Sequence, residues 1–269
     1  MIKLAVFDID RTLIQPEIGA IAPETAAALK QLQQKGIKTA IASGRLFSFL
    51  QPELLELGFD YFIMSNGCYV TDPSGNILAR KKIDEAVLEA FSRRMIQENL
   101  PFLTRYCMGQ REGNPAAGTV RERMATVKSK HKFKGKPPKA FTEQYEPAPG
   151  ELPICACGYF PDTARQMFEA EFPELTFMPM FEGPMCDINP ATVSKASGVR
   201  RICEMLGIDI CETIAFGDDR NDLEMITEAG IGVAMGDGLD AVIAAADYVT
   251  EPCADLGVVK ALKHFGLLD

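Results

Sequence analysis

Apolar and polar positions along this 269-residue chain follow two different rhythms. Near the start, the apolar run Leu4-Ala5-Val6-Phe7 reads as a buried strand and stops at Asp8-Ile9-Asp10-Arg11-Thr12. A polar, Gly-containing loop covers 15–22. Pro23-Glu24 then opens a helix with Ala26, Leu29 and Leu32 on one face, closed by Gly36. Residues 37–42 form a second buried strand that stops at Ser43-Gly44-Arg45, and a helix is predicted over about 47–57, closed by Gly58. Tyr61-Phe62-Ile63-Met64 is a third strand, running into Ser65-Asn66-Gly67. Strands alternating with helices in this way predict right-handed βαβ units and a parallel sheet. Tyr69-Val70-Thr71 and Ile77-Leu78-Ala79 flank the turn signal Asp72-Pro73-Ser74-Gly75-Asn76 and predict a hairpin at the sheet's rim.

The rhythm changes near Ile83. A helix is predicted over 84–97 and a strand over 102–106, then a poorly periodic segment over 108–118. Residues 121–139 hold eight Lys/Arg against one Glu. After a Pro-rich stretch come a strand at 154–159, a helix at 162–171 and strands at 176–181 and 185–188. This block reads as a separate α+β module inserted into the first fold. Alternation returns after Asn189-Pro190. A helix at 194–206 precedes the strand Thr213-Ile214-Ala215-Phe216, which ends in Gly217-Asp218-Asp219-Arg220-Asn221-Asp222. A helix over 222–229 follows, with Asp222 a natural N-cap. A Gly-flanked strand at 230–235, a short helix at 239–245, an edge strand at 248–250 and a helix at 256–265 complete the chain. The fold class is α/β: a Rossmann-like, doubly wound parallel-sheet core over 1–82 and 187–269, interrupted by an α+β module over 83–186.

Composition narrows the function classes. A net charge of −9 argues against a general nucleic-acid or anionic-membrane binder. No apolar run approaches the length of a membrane span. Met1-Ile2-Lys3 leads directly into the first strand without the pattern of a secretory leader, so a cytoplasmic location is expected. The eight Cys are scattered, several inside apolar runs, and read as buried reduced thiols. With only two His, a multi-His metal site or a Ser-His-Asp triad is disfavoured. The basic run over 121–139 is read as a solvated face, or alternatively as a device that steers an anionic substrate.

Three predicted strands end in polar groups: Asp8 and Asp10; Ser43 beside Gly44; and Asp218, Asn221 and Asp222. In a parallel sheet those ends share one edge, the edge where open α/β sheets bind ligands. Period-two alternation would aim Asp8 and Asp10 to one side. Crowded carboxylates repel unless a cation joins them or one keeps its proton, and a hard divalent ion such as Mg2+ prefers oxygen ligands. An Asp-rich turn that merely caps the strand is the alternative. Lys195, in the first turn of a predicted helix, completes the parts list for phosphoryl transfer: carboxylates for a metal, and a hydroxyl, backbone N–H groups and a Lys for phosphoryl oxygens.

In order and spacing, Asp8-Ile9-Asp10-Arg11-Thr12, Ser43, Lys195 and 217–222 match the four motifs of the haloacid dehalogenase superfamily. The chain resembles its Cof-type phosphatase branch, in which an α+β cap is inserted between the second and third motifs. The resemblance implies that Asp8 attacks phosphorus and becomes an aspartyl-phosphate, and that Asp10 protonates the leaving oxygen and then activates water. It implies Mg2+ held by the Asp8 side chain, the Asp10 carbonyl and Asp218. Ser43, Lys195 and Asn221, with N–H groups of Ile9 and Gly44, would hold phosphoryl oxygens. Asp222 would position Lys195 or the metal's waters, and Thr12 would support the site. Arg11 stands where the family often has Gly and is expected to point to solvent. Arg45 is a candidate contact to the cap or the substrate, and Asn66-Gly67 is expected to turn beside the site. The implied activity is a phosphatase for small phosphorylated metabolites, sugar phosphates first, acting as a monomer or weak homo-oligomer. A phosphomutase using the same intermediate and a non-catalytic phosphometabolite-binding protein are the alternatives.

Overall fold

The computed structural model describes residues 1–16, 18–120, 145–180 and 183–269. The first stretch holds β1 (Leu4–Phe7), β2 (Ile14–Gln15), β3 (Ala20–Ile21), α1 (Pro23–Gln34), β4 (Lys38–Ala42), α2 (Pro52–Leu55), β5 (Tyr61–Met64), β6 (Tyr69–Thr71) and β7 (Ile77–Arg80). The middle holds α3 (Glu85–Gln97), β8 (Phe102–Arg105), β9 (Gln110–Glu112), β10 (Cys155–Tyr159), α4 (Asp162–Glu171), β11 (Leu175–Met180) and β12 (Met185–Pro190). The last holds α5 (Lys195–Leu206), β13 (Thr213–Gly217), α6 (Leu223–Glu228), β14 (Ile231–Ala234), α7 (Asp240–Ala245), β15 (Tyr248–Val249) and α8 (Gly257–His264).

The chain divides into two compact units. The first is Met1–Gly44, Gln51–Ala79 and Ser194–Asp269; the second is Arg45–Leu50 and Arg80–Val193. In the first, a sheet runs in the order β15-β14-β13-β1-β4-β5-β6-β7. Every pairing from β15 to β5 is parallel, and β6 joins β5 antiparallel. From β1 the chain builds outward through β4 and β5 on one side, and later through β13, β14 and β15 on the other. That makes β1 the switch point, where open α/β sheets place ligands beyond the strand ends. Phe7 lies level with both Ile41 and Phe216, so three strands end side by side.

Alternation along β1 sorts its residues between two layers. Leu4 and Val6 pack in one cluster with Ala196, Val199 and Ile202 of α5, Met225 and Ile226 of α6, and Val242 of α7. Phe7, on the opposite face, stacks on Phe216 with ring centroids 4.9 Å apart. By the same count Asp8 belongs to the face covered by α5.

The second unit is an antiparallel sheet in the order β11-β12-β10-β8-β9. Phe91 of α3 and Phe168 of α4 meet edge to face at 5.8 Å, and Phe160, Phe172 and Phe177 join them. On the other face Leu103, Cys157 and Met185 pack with Val120. There Arg105 and Asp187 form a buried ion pair at 2.6 Å.

Three expectations change. The helix over 47–57 is instead a 3-10 turn at Phe47–Phe49 and the short α2. Pro52 forces this, because the residue before a proline avoids the helical region, and Gln51 is extended at ψ 145°. The core's return at 187 moves to Ser194, because β12 keeps its pairing with β11 as far as Pro190 opposite Leu175. Cys211 is exposed, although the other seven free Cys are buried. The reading of 121–139 as a basic face lies outside the described residues. Among those described, no helix is long and apolar enough to cross a membrane.

Candidate active site

Asp8 extends the β1 ladder by one residue, its N–H donating to the Phe216 carbonyl at 2.9 Å. Behind it the chain folds into a tight loop in which Leu13 and Ile14 both donate to the Ile9 carbonyl. Arg11 holds that loop in the left-handed region at φ 67°, which explains why glycine suits this position. Its guanidinium does not simply point to solvent, as its sequence position suggested. It donates to the Asp237 carbonyl and carboxylate, and lies 3.6 Å from Asp218 Oδ2. The Thr12 hydroxyl reaches Asp218 Oδ1 at 3.4 Å.

Lys195 enters from α5. Ser194 caps that helix in a reciprocal capping box with Ser197. A cation in the first turn of a helix opposes the macrodipole, so Lys195 needs carboxylates. It has two: its buried ammonium donates to Asp8 Oδ1 and to Asp222 Oδ1, each at 2.6 Å. Gly67 makes this helix start possible. A Cβ there would lie 2.1 Å from the Ser194 carbonyl oxygen, and φ is 103°.

Beyond β13 the chain turns back on itself. Asp222 Oδ2 accepts from the backbone N–H groups of Asp218 and Asp219, both at 3.1 Å. Gly217 leaves room for this, since a Cβ would meet Asp222 Cγ at 2.4 Å. The expectation that Asp222 caps the following helix is therefore corrected: its side chain makes no capping hydrogen bond to α6. Its oxygens serve Lys195 and the turn instead. Asn221 donates through Nδ2 to Asn66 Oδ1 at 2.9 Å, and the Asn66 N–H donates to the Ser43 carbonyl at 2.9 Å. Ser43 is buried, tied to β5 by its N–H on the Ile63 carbonyl, with Gly44 immediately after it.

Carboxylate oxygens of Asp8, Asp218 and Asp222 lie within 4.8 Å of one another, all three residues buried. The Lys195 ammonium and a half-exposed Arg11 guanidinium shared with Asp237 do not neutralise three buried carboxylates. Burial, only partly opposed by Lys195 and reinforced by Asp222 and Asp10, pushes the Asp8 carboxyl up to about 7. Burial with Asp8 and Asp222 pushes Asp218 up to about 9, against the pull of Arg11 and Lys195. Burial works against the Lys195 charge, but Asp222 and Asp8 outweigh it and hold the ammonium above its ordinary range. Hard oxygen donors in charge surplus fit a divalent cation such as Mg2+. With Asp222 occupied, Asp8 and Asp218 are the carboxylates suited to hold one.

The structure thus gathers Asp8, Thr12, Lys195, Asp218 and Asp222, and links Asn221 to Ser43 through Asn66. Asp10 is not part of the carboxylate triad, although its charge raises Asp8; its backbone bridges to Ile14. The Ile9 side chain is fully buried. Asp237, the partner of Arg11, carries no mark in its local sequence. Arg45 groups with the segment Arg45–Leu50 of the second unit.

A family profile described as haloacid dehalogenase-like hydrolase matches residues 5–262. The Bacillus subtilis (strain 168) protein named "Putative phosphatase YkrA" is 30% identical over 268 residues, covering 99% of this chain and 98% of that one. The solved structure of BT1666 from Bacteroides thetaiotaomicron, a phosphatase of the haloalkanoate (HAD) enzyme superfamily, superposes with a TM-score of 0.85 at 28% identity, covering 100% of this chain and 96% of that one. The HAD subclass IIB sugar phosphatase BT4131 gives a TM-score of 0.81 at 26% identity, covering 99% and 100%. With strand ends, buried Lys and carboxylate triad in place, this chain belongs to the haloacid dehalogenase-like hydrolases, and YkrA and BT4131, which it matches over nearly their whole length, carry phosphatase names.

Proposed function

We propose that the chain is a Mg2+-dependent phosphatase of small phosphorylated metabolites, sugar phosphates first, working through an aspartyl-phosphate on Asp8. The observation that carries this reading is the convergence of Asp8, Asp218 and Asp222 within 4.8 Å of one another, with one buried ammonium bonded to Asp8 and Asp222. A sugar substrate is favoured by the similarity to BT4131, a sugar phosphatase.

Asp8 is the nucleophile. A carboxylate this buried resists ionising, so Lys195 at 2.6 Å helps hold it as the anion that attacks phosphorus. Asp10 protonates the leaving oxygen, then takes a proton from the water that attacks the aspartyl-phosphate. Ser43, Lys195 and Asn221, with N–H groups of Ile9 and Gly44, hold the phosphoryl oxygens where charge builds in the transition state. The Asp8 side chain, the Asp10 carbonyl and Asp218 would hold Mg2+, which masks the repulsion between the attacking carboxylate and the anionic ester. Asp222 fixes the ammonium of Lys195, and Thr12 fixes the carboxylate of Asp218. The second unit is the cap that selects the leaving group. The partner is a small phosphate ester rather than nucleic acid or membrane, and the working form is a monomer or weak homo-oligomer.

The test is a screen of phosphorylated metabolites and an aryl phosphate, with and without Mg2+, following phosphate release. Metal-dependent turnover by the native chain and none by Asp8→Asn is the expected result. Undiminished turnover by Asp8→Asn refutes the nucleophile.

A further inference from the structure

The chain leaves β5 through an unusual turn. Ser65, Asn66 and Gly67 all have positive φ, at 49°, 57° and 103°. For a residue with a Cβ the left-handed region is sterically costly, with Asn among the least penalised. Strain of this kind persists where surrounding structure enforces it, and it clusters at working sites. Ser65 and Asn66 are both buried.

The turn touches all three elements that carry the proposed phosphate-holding side chains. The Asn66 N–H binds the Ser43 carbonyl at the exit of β4. Its Oδ1 accepts from Asn221 Nδ2 in the turn after β13. Its neighbour Gly67 lies against the Ser194 carbonyl, the residue before Lys195. A primary amide has two N–H donors. Asn66 takes one from Asn221 and so fixes the plane of that amide, which aims the second.

We propose that Asn66 is a positioning residue: it holds the Asn221 amide so that one N–H faces a phosphoryl oxygen, in register with Ser43. This rests on the phosphate-binding role given to Asn221 above, but not on turnover.

The test is a double-mutant cycle in inorganic-phosphate binding with Mg2+ present, measured calorimetrically on the full chain. Asn66→Gly removes the side chain yet keeps a backbone at ease in the left-handed region. Thermal melts of each variant check that it is folded. Losing a hydrogen bond to an anion predicts phosphate binding about tenfold weaker in Asn66→Gly, and similarly weaker in Asn221→Ala. In the Asn221→Ala background, Asn66→Gly should add less than a twofold further loss, because the group it orients is gone. A full tenfold further loss in that background overturns the inference, as does native affinity in folded Asn66→Gly. Should Asn66→Gly fail to fold, Asn66→Ala, which likewise removes the acceptor, carries the same cycle and the same criteria. Phosphate binding by the native chain without turnover overturns the phosphatase reading and leaves this inference standing. No binding by the native chain overturns the inference outright.

Discussion

Each unit buries a cation against carboxylate, and the two arrangements differ in arithmetic. In the α+β unit, Arg105 and Asp187 stand 2.6 Å apart inside the antiparallel ladder, one charge against one. Asp187 outweighs the burial of Arg105 and holds its guanidinium firmly protonated. In the α/β unit, Lys195 faces Asp8 and Asp222 with Asp218 alongside, and the carboxyl groups stand at strand ends rather than within the sheet. The pair is balanced in charge, one for one, although the Arg105 Nε–H is buried without a hydrogen-bond partner. A surplus of buried carboxylate leaves acids that resist ionising until another cation arrives. Charge stoichiometry, more than burial or ion pairing, separates a site from a strut.

The largest effect expected to divide the two regions is chemical. Asp8→Asn should lower aryl-phosphate turnover on the order of 10⁴-fold or more, while the metal-free melting temperature holds or rises because one excess charge is gone. A falling melting temperature would make Asp8 part of the scaffold and erase the contrast. Next in size is the strut. Asp187→Asn strands a buried guanidinium and should cost about 3–5 kcal/mol in chemical denaturation, with an apolar replacement of both partners recovering much of it. A change within about 0.5 kcal/mol would mean the pair does not hold the unit together.

The smallest effect is a pH dependence. Burial, reinforced by the neighbouring carboxylates, pushes Asp8 and Asp218 up from the ordinary carboxylate value of 3.8, to about 7 and about 9. The native state therefore binds more protons than the unfolded chain through that window, and metal-free stability falls as pH rises across it. Mg2+ would replace those protons. The gain in melting temperature on adding Mg2+ should thus grow between about pH 5 and about pH 8. A gain that is flat with pH would contradict the surplus-charge account.

Much of this was legible in the residues. Leu4-Ala5-Val6-Phe7 and the strands at 61–64 and 213–216 announce themselves as apolar runs, and each ends where chemistry-bearing residues begin. What stayed hidden depended on partners far along the chain. Arg105 looked like one polar residue in a strand, and only pairing with a residue 82 positions away makes it a strut. Nothing local to Arg11 reveals Asp237, 226 positions away, so its place in the sequence suggests only solvent. Asp222 had the look of a helix cap, but the return of its carboxylate to Lys195 and the β13 turn took that role away. Pro52 is a local signal that no single helix can run through 47–57. Asn66-Gly67 stood out as a turn, yet its link to Asn221 spans 155 positions.

The most direct measurement is reductive trapping on Asp8. Borohydride cleaves an acyl phosphate and leaves homoserine in place of the aspartate, which peptide mass spectrometry locates. Quenching the enzyme during turnover of an aryl phosphate should give homoserine at position 8, only when both Mg2+ and substrate are present. Turnover with Asp8 unmodified, or with the modification at Asp10 or Asp218, would contradict the account.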